Sequence, residues 1–165
     1  VIVFREFEKW AIDIRTDQRR MFVVDSRLYN ELGITAQIPM SDPVQEIHGV
    51  LTKYFDALYF GNTELFAEIF HSQARLFSAT NPDFLVMDVP EYLAVVAGRQ
   101  SPSDRGDPRA DEIQQIAVSS PTTAHARARE HLLPKHFVDV LTLVRVGGQW
   151  KIVSKVWHFD LVAGS

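Results

Sequence analysis

The chain has 165 residues, a formal net charge of −4 and no cysteine. That length suits one domain of ordinary size, and the composition excludes disulfides, thiolate metal sites and cysteine nucleophiles. The acidic balance disfavours non-specific nucleic-acid binding, and no apolar run approaches the ~20 residues that span a bilayer.

Residues 1–39 mix charges of both signs with scattered aromatics and show no sustained period. A short strand over 1–4 and a helical piece around DSRLYNELG are expected there, with ITAQIPMSDP as a linker. Met40 reads as the natural start of the domain that follows, so the expected organisation is an extension over 1–39 and one domain over 40–165. The opening VIVFREFEKW is too short and too acidic for an export signal, and the expected compartment is the cytoplasm.

From Asp42 the pattern sharpens. SDPVQEIHGVLTKYFDALYFGN repeats apolar residues at helical spacing (Val44, Ile47, Val50, Leu51, Tyr54, Phe55, Leu58). Asp42 is placed to cap it, Pro43 fits its first turn and Gly61 its end. A shorter helix, NTELFAEIFH, follows with Asn62 as its cap; ARLFSA then reads as a strand. DVPEYLAVVAG is a third helix with Asp88 and Glu91 in capping-box spacing and Gly98 at its end. RQSPSDRGDPR is a loop. The last third is strand-like: DEIQQIAVSS, TAHARARE, and a long hairpin, KHFVDVLTLVRVGGQWKIVSKVWHFDL, turning at Gly147-Gly148. Helices followed by segregated strands predict an α+β fold with a mostly antiparallel sheet packed on three N-terminal helices.

The hairpin carries the main functional expectation. Pairing Val146 with Gln149 and continuing without interruption sets Asp139 opposite Val156, and Phe137 opposite His158. One face then holds Phe137, Asp139, Leu141, Leu143, Trp150, Ile152, Ser154, Val156 and His158, and is assigned to the interior. The other holds Val138, Val140, Thr142, Val144, Lys151, Val153, Lys155 and Trp157; so apolar an outer face predicts a sheet-to-sheet homodimer.

An aspartate inside an apolar strand must be paired, protonated or turned to a wet cavity. Asp139 either satisfies buried donors or, with its carboxyl pKa raised by burial, donates a proton or hydrogen bond. Tyr54 lies on the apolar stripe of the first helix, where its hydroxyl needs a partner. His158 is a general base, a partner of Asp139 or a satisfied core histidine. Asp139, Tyr54 and His158 are therefore the candidate catalytic residues, and Phe55, Phe77, Ser78, His136, Phe137 and Val156 the candidate ligand-lining ones. His131 and His136 flank LLPK, a bend. No metal-ligand spacing or phosphate loop is present, and no cofactor is expected. RARE, with Arg127 and Arg129, reads as a solvated or interface strand face.

VLTKYFDALYFGNTELFAEIFHSQARL at the start and FVDVLTLVRVGGQWKIVSKVWH at the end resemble the nuclear-transport-factor-2-like superfamily over about residues 42–160. Within it the chain is similar to the putative lumazine-binding group, close to SnoaL-like polyketide cyclases. The resemblance implies a cone of curved sheet capped by helices, enclosing a pocket for a small apolar or aromatic ligand. Ketosteroid isomerases of this superfamily form an oxyanion hole from a tyrosine and a protonated aspartic acid, and by motif position Tyr54 and Asp139 match them. Their catalytic base falls on Ser78, which cannot serve, so a base would have to come from His158 or His136. The expected function is small-molecule binding, extended to isomerase, dehydratase or cyclase chemistry on a small apolar carbonyl compound. The alternative is a non-catalytic ligand-binding or protein-interaction dimer.

Overall fold

In the computed structural model the described residues are 42–80 and 84–162. The expectations for residues 1–39 fall outside them.

Helix α1 spans Pro43–Phe60; Asp42 caps it by accepting a hydrogen bond from the Val44 N–H at 2.9 Å. Gly61 ends it with φ of 65°, a left-handed conformation that suits glycine. Helix α2 (Thr63–Ile69) starts at Asn62, whose side chain accepts from Glu64 and Leu65. Strand β1 (Phe70–Ser78) and the short β2 (Leu85–Asp88) follow. Helix α3 (Val89–Ala97) opens with the expected capping box between Asp88 and Glu91. A single helical turn, α4 (Pro102–Arg105), interrupts the loop before β3 (Asp111–Ser120), β4 (Thr123–Leu132), β5 (Lys135–Val146) and β6 (Gln149–Leu161).

The six strands form one curved, open sheet in the order β2-β1-β6-β5-β4-β3. All neighbours are antiparallel except β1 and β6, which run parallel. The helices cover the concave face, where Ile47, Leu51, Phe66, Leu76, Leu141, Leu143 and Ile152 are buried. Strand β4 supplies this face with Ala124, Ala126 and Ala128, all fully buried. LLPK is a tight turn, with Leu132 paired to Lys135 and a cis peptide between Leu133 and Pro134.

The hairpin departs from the expected register at one residue. Val146 pairs with Gln149 and Leu143 with Ile152, as expected, but Thr142 pairs with Ser154. Val153 is an extra residue in β6, a β-bulge, and every side chain beyond it changes face. Asp139 therefore lies opposite Trp157 and Phe137 opposite Phe159. Lys155 and Trp157 turn inward, and Val156 and His158 turn outward, the reverse of the expectation. The His158 side chain is 59% exposed and sits 3.3 Å from Asp160 and 3.2 Å from the Thr80 hydroxyl; it does not share the interior with Asp139.

Candidate functional site

Four elements bring polar side chains together on the concave face. Tyr54 comes from α1, Glu130 from β4, Asp139 from β5 and Lys155 from β6. Asp139 and Tyr54 are 0% exposed, and Glu130 and Lys155 are each 3% exposed. The helical period of α1 and the strand alternation of β5 point Tyr54 and Asp139 at each other. The Tyr54 hydroxyl donates to Asp139 Oδ2 and accepts from the Lys155 ammonium. Lys155 Nζ also donates to Asp139 Oδ2 at 2.6 Å and stands 3.8 Å from Glu130 Oε1.

Aromatic rings wall this cluster. Tyr54 meets Phe66 edge-on at 5.9 Å, and Phe66 meets Tyr92 at 5.3 Å. Lys155 Nζ lies 5.1 Å from the Tyr54 ring centre, 5.5 Å from that of Trp157 and 5.8 Å from that of Tyr92, so its charge has π faces around it as well as a carboxylate.

The electrostatics follow from the burial. Desolvation alone would push Lys155 down, but Asp139 first and then its other neighbours outweigh it and hold the ammonium above its ordinary range. Burial raises the Tyr54 hydroxyl well above its usual value, and the charge of Asp139 adds to this. Tyr92 is raised by burial. Burial likewise raises Glu130 well above the usual carboxyl range; Asp139 pushes the same way, against Lys155 and Arg99.

The cluster is incompletely satisfied. Asp139 Oδ1, both Glu130 oxygens, and Nε and Nη2 of Arg99 are buried without a hydrogen-bond partner. Native interiors hold few such atoms, so each calls for a missing partner.

The expected site residues divide. Asp139 and Tyr54 touch, whereas His158 is outside. Phe55 is buried beside Tyr54, with ring centres 5.9 Å apart. Ser78 is buried and donates to the Trp157 carbonyl at 3.0 Å. Phe137 packs on Phe159 and against the core. Phe77 and Val156 are corrected: they pair with each other on the convex face, because the bulge reverses Val156 and because Phe77 lies between the buried Leu76 and Ser78. His136 is also on that face, stacked on His131 at 3.8 Å beside a surface recess of about 220 Å³. No group of three or more metal-ligating side chains forms among the described residues.

Lys155, Glu130 and Arg99 were not anticipated. Lys155 was hidden by the bulge. Glu130 had a signal: Ala124, Ala126, Ala128, Glu130 and Leu132 share one strand phase, and all five are buried. Recesses of about 340 and 220 Å³ lie away from Tyr54, Asp139 and Lys155; Glu130 lines a small cavity of about 10 Å³, with Phe55, Leu58, Tyr59 and Leu132.

A family model described as putative lumazine-binding matches residues 42–158. No curated protein matches the chain at a significant level. Among solved structures, a nuclear-transport-factor-2-like protein of unknown function from Shewanella baltica OS155 is 26% identical, with a TM-score of 0.64 over 73% of this chain and 98% of that one. One from Methylobacillus flagellatus KT is also 26% identical, with a TM-score of 0.63 over 73% and 94%. A ketosteroid isomerase-like protein from Erwinia carotovora atroseptica SCRI1043 shares the fold at 14% identity, with a TM-score of 0.57 over 72% and 97%.

Proposed function

The chain belongs to the putative lumazine-binding family, and from its buried polar cluster we propose that it binds a small apolar or aromatic molecule in the cone between helices and sheet. The observation that carries this reading is the Tyr54–Asp139–Lys155–Glu130 constellation on the concave face. Buried ion pairs are weak contributors to stability, and perturbed titratable groups collect at functional sites. Acid–base catalysis by Asp139 with His158 is the weaker use of the cone. Asp139 is committed to Lys155, and His158 lies on the other face.

The test is nuclear magnetic resonance with lumazine and small aromatic carbonyl compounds as probes. Wild-type protein should show shifts at Phe55, Leu132 and the ring of Trp157. Leu132→Trp, at the rim of the Glu130 cavity, should keep a cooperative melt and lose the shifts. Wild-type protein with no shift inside the cone for any probe would end the binding reading.

A second observation supports self-association as a homodimer. Val86, Phe77, Val156 and Val140 are successive cross-strand neighbours on the convex face, a row across four strands. Val86, Val140 and Val156 are 46–47% exposed, and a contiguous apolar patch of this kind suits an interface. Trp157, expected in that patch, faces inward; Val156 takes its place. Val140→Glu should shift sedimentation from dimer to monomer at micromolar concentration. A monomeric wild-type protein would remove the proposal.

A further inference from the structure

Two acids and one lysine share the core of the cone, and their unpartnered atoms can be counted. Asp139 Oδ2 takes the hydrogen bonds from Tyr54 and Lys155, while Asp139 Oδ1 and both Glu130 oxygens have none. Ala128 pairs with Asp139 and Glu130 with Phe137, so Glu130 is a diagonal neighbour of Asp139 on the same face of adjacent strands. Lys155 is 2.6 Å from Asp139 but 3.8 Å from Glu130. The lysine thus bonds one carboxylate and stands only within ion-pair range of the other, which is buried, where a poorly compensated charge is costly.

Resting on the cone-binding reading, we propose that Glu130 shares a proton with Asp139 and turns its remaining oxygen to an uncharged N–H or O–H donor on the bound molecule. The shared proton gives Asp139 Oδ1 a partner, and the donor completes Glu130. With Lys155 cancelling the remaining negative charge, the two acids and the lysine sum to zero, and Arg99 adds a positive charge nearby, so the site suits a neutral ligand rather than a cation. Other groups around Glu130 leave this balance in place. From α1, Tyr54 is held neutral by burial. From α3, Tyr92 is raised by burial, and from the segment just after it Arg99 attracts Glu130 without reaching it as an ion pair. From β3, the register partner Asp111 is held by Arg109 at 2.6 Å.

One wall of the cavity that Glu130 lines is formed by Pro102 of α4 and by Arg109 and Ala110 of the loop before β3. At about 10 Å³ it has room for roughly one water. Its loop wall is tied to the body by the Arg109 pairs with Asp56 and Asp111, which are partly exposed and of a kind that resists opening only weakly. Widening there admits a ligand without breaking the sheet.

Infrared difference spectroscopy between wild type and Glu130→Gln tests the proton. A protonated carboxyl stretch at neutral pH, lost in E130Q, is expected; wild-type protein without that band overturns the proposal. Binding of δ-valerolactam against N-methyl-δ-valerolactam, read by nuclear magnetic resonance, tests the ligand class. Wild type should prefer the N–H compound by about tenfold, the scale of one net hydrogen bond. E130Q, which keeps an acceptor, should retain the preference, and Glu130→Leu should lose it. Probes that bind in the cone with no N–H preference, or with the same preference in E130L, overturn this assignment and leave the cone-binding reading standing. Lactams that bind nowhere in the cone overturn it, and if lumazine and the carbonyl probes also fail there, the cone-binding reading falls as well.

Discussion

Lys155→Met is expected to cost about 3–5 kcal/mol of folding stability, because it leaves a buried carboxylate without its cation. Asp139 is fully buried, and its Oδ2 would keep only the Tyr54 hydroxyl. The double variant Lys155→Met/Asp139→Leu should recover most of the loss, since well-packed apolar side chains often replace a buried ion pair at little net cost. Urea unfolding of the three proteins measures both differences. A single variant that loses less than about 1 kcal/mol, the range of exposed pairs, would show the lysine to be solvated; a double variant no better than the single would place the cost in packing. The pH dependence has a definite sign. The folded-state pKa of Lys155 is raised, so its contribution is complete below the unfolded value of about 10.4 and is lost as pH rises through the higher folded value. Neutral and mildly alkaline conditions therefore should not erase the difference between wild type and K155M.

The same lysine shows how far the site could be read from the sequence. Helix α1 is written in its own caps and period, so Tyr54 was placed correctly by local rules. Asp139 stands out because an aspartate in an apolar strand has few alternatives to a buried partner, and Tyr54 is that partner. Both inferences use positions on β5 and α1, which have no irregularity near those residues. Lys155 and His158 lie beyond Val153, and nothing in VGGQWKIVSKVWH marks a bulge: it has no interior glycine, and alternation continues plausibly in either phase. A one-residue error there exchanges interior and exterior, and it replaced a lysine by a histidine in the expected site. Glu130 is a different case. The alanines before it define the buried phase, but Arg127 and Arg129 in the other phase drew the segment toward a solvated reading. Arg99 follows a helix-ending glycine, where strand or helix periodicity no longer predicts direction. Local rules thus reach the elements, while the charge partner of the site depends on long-range register.

Deleting Val153 and Ser154 together should abolish the cooperative fold. Ile152 would then lead straight into Lys155, which would pair with Thr142 in place of Ser154, and Asp139 would lie opposite His158; Lys155 and Trp157 would turn to the convex face while Val156 and His158 turned inward. Asp139 would then be buried without its cation, a penalty of about 3–5 kcal/mol by itself. The neighbour on the other side adds to it. Leu76, Phe77 and Ser78 of β1 pair with Lys155, Val156 and Trp157, so β1 would either lose that ladder or reverse its own faces and expose Leu76, which is fully buried. Replacing one fully buried leucine contact with water costs a further ~1.5–3 kcal/mol. Together these approach the ~5–15 kcal/mol total stability of an ordinary domain. Deleting Val153 alone is the control. It removes the residue without a partner and joins Ile152 to Ser154, so the pairs of both with β5, and all pairs beyond them, persist and Lys155 still faces inward. That variant should melt cooperatively and lose far less, about 1 kcal/mol. Circular dichroism melts of the two variants separate the facing of β6 from its residue count. A double-deletion variant that melts cooperatively near the wild-type temperature would mean that the sheet absorbs the missing residues elsewhere and that the register does not decide which side of β6 faces Asp139.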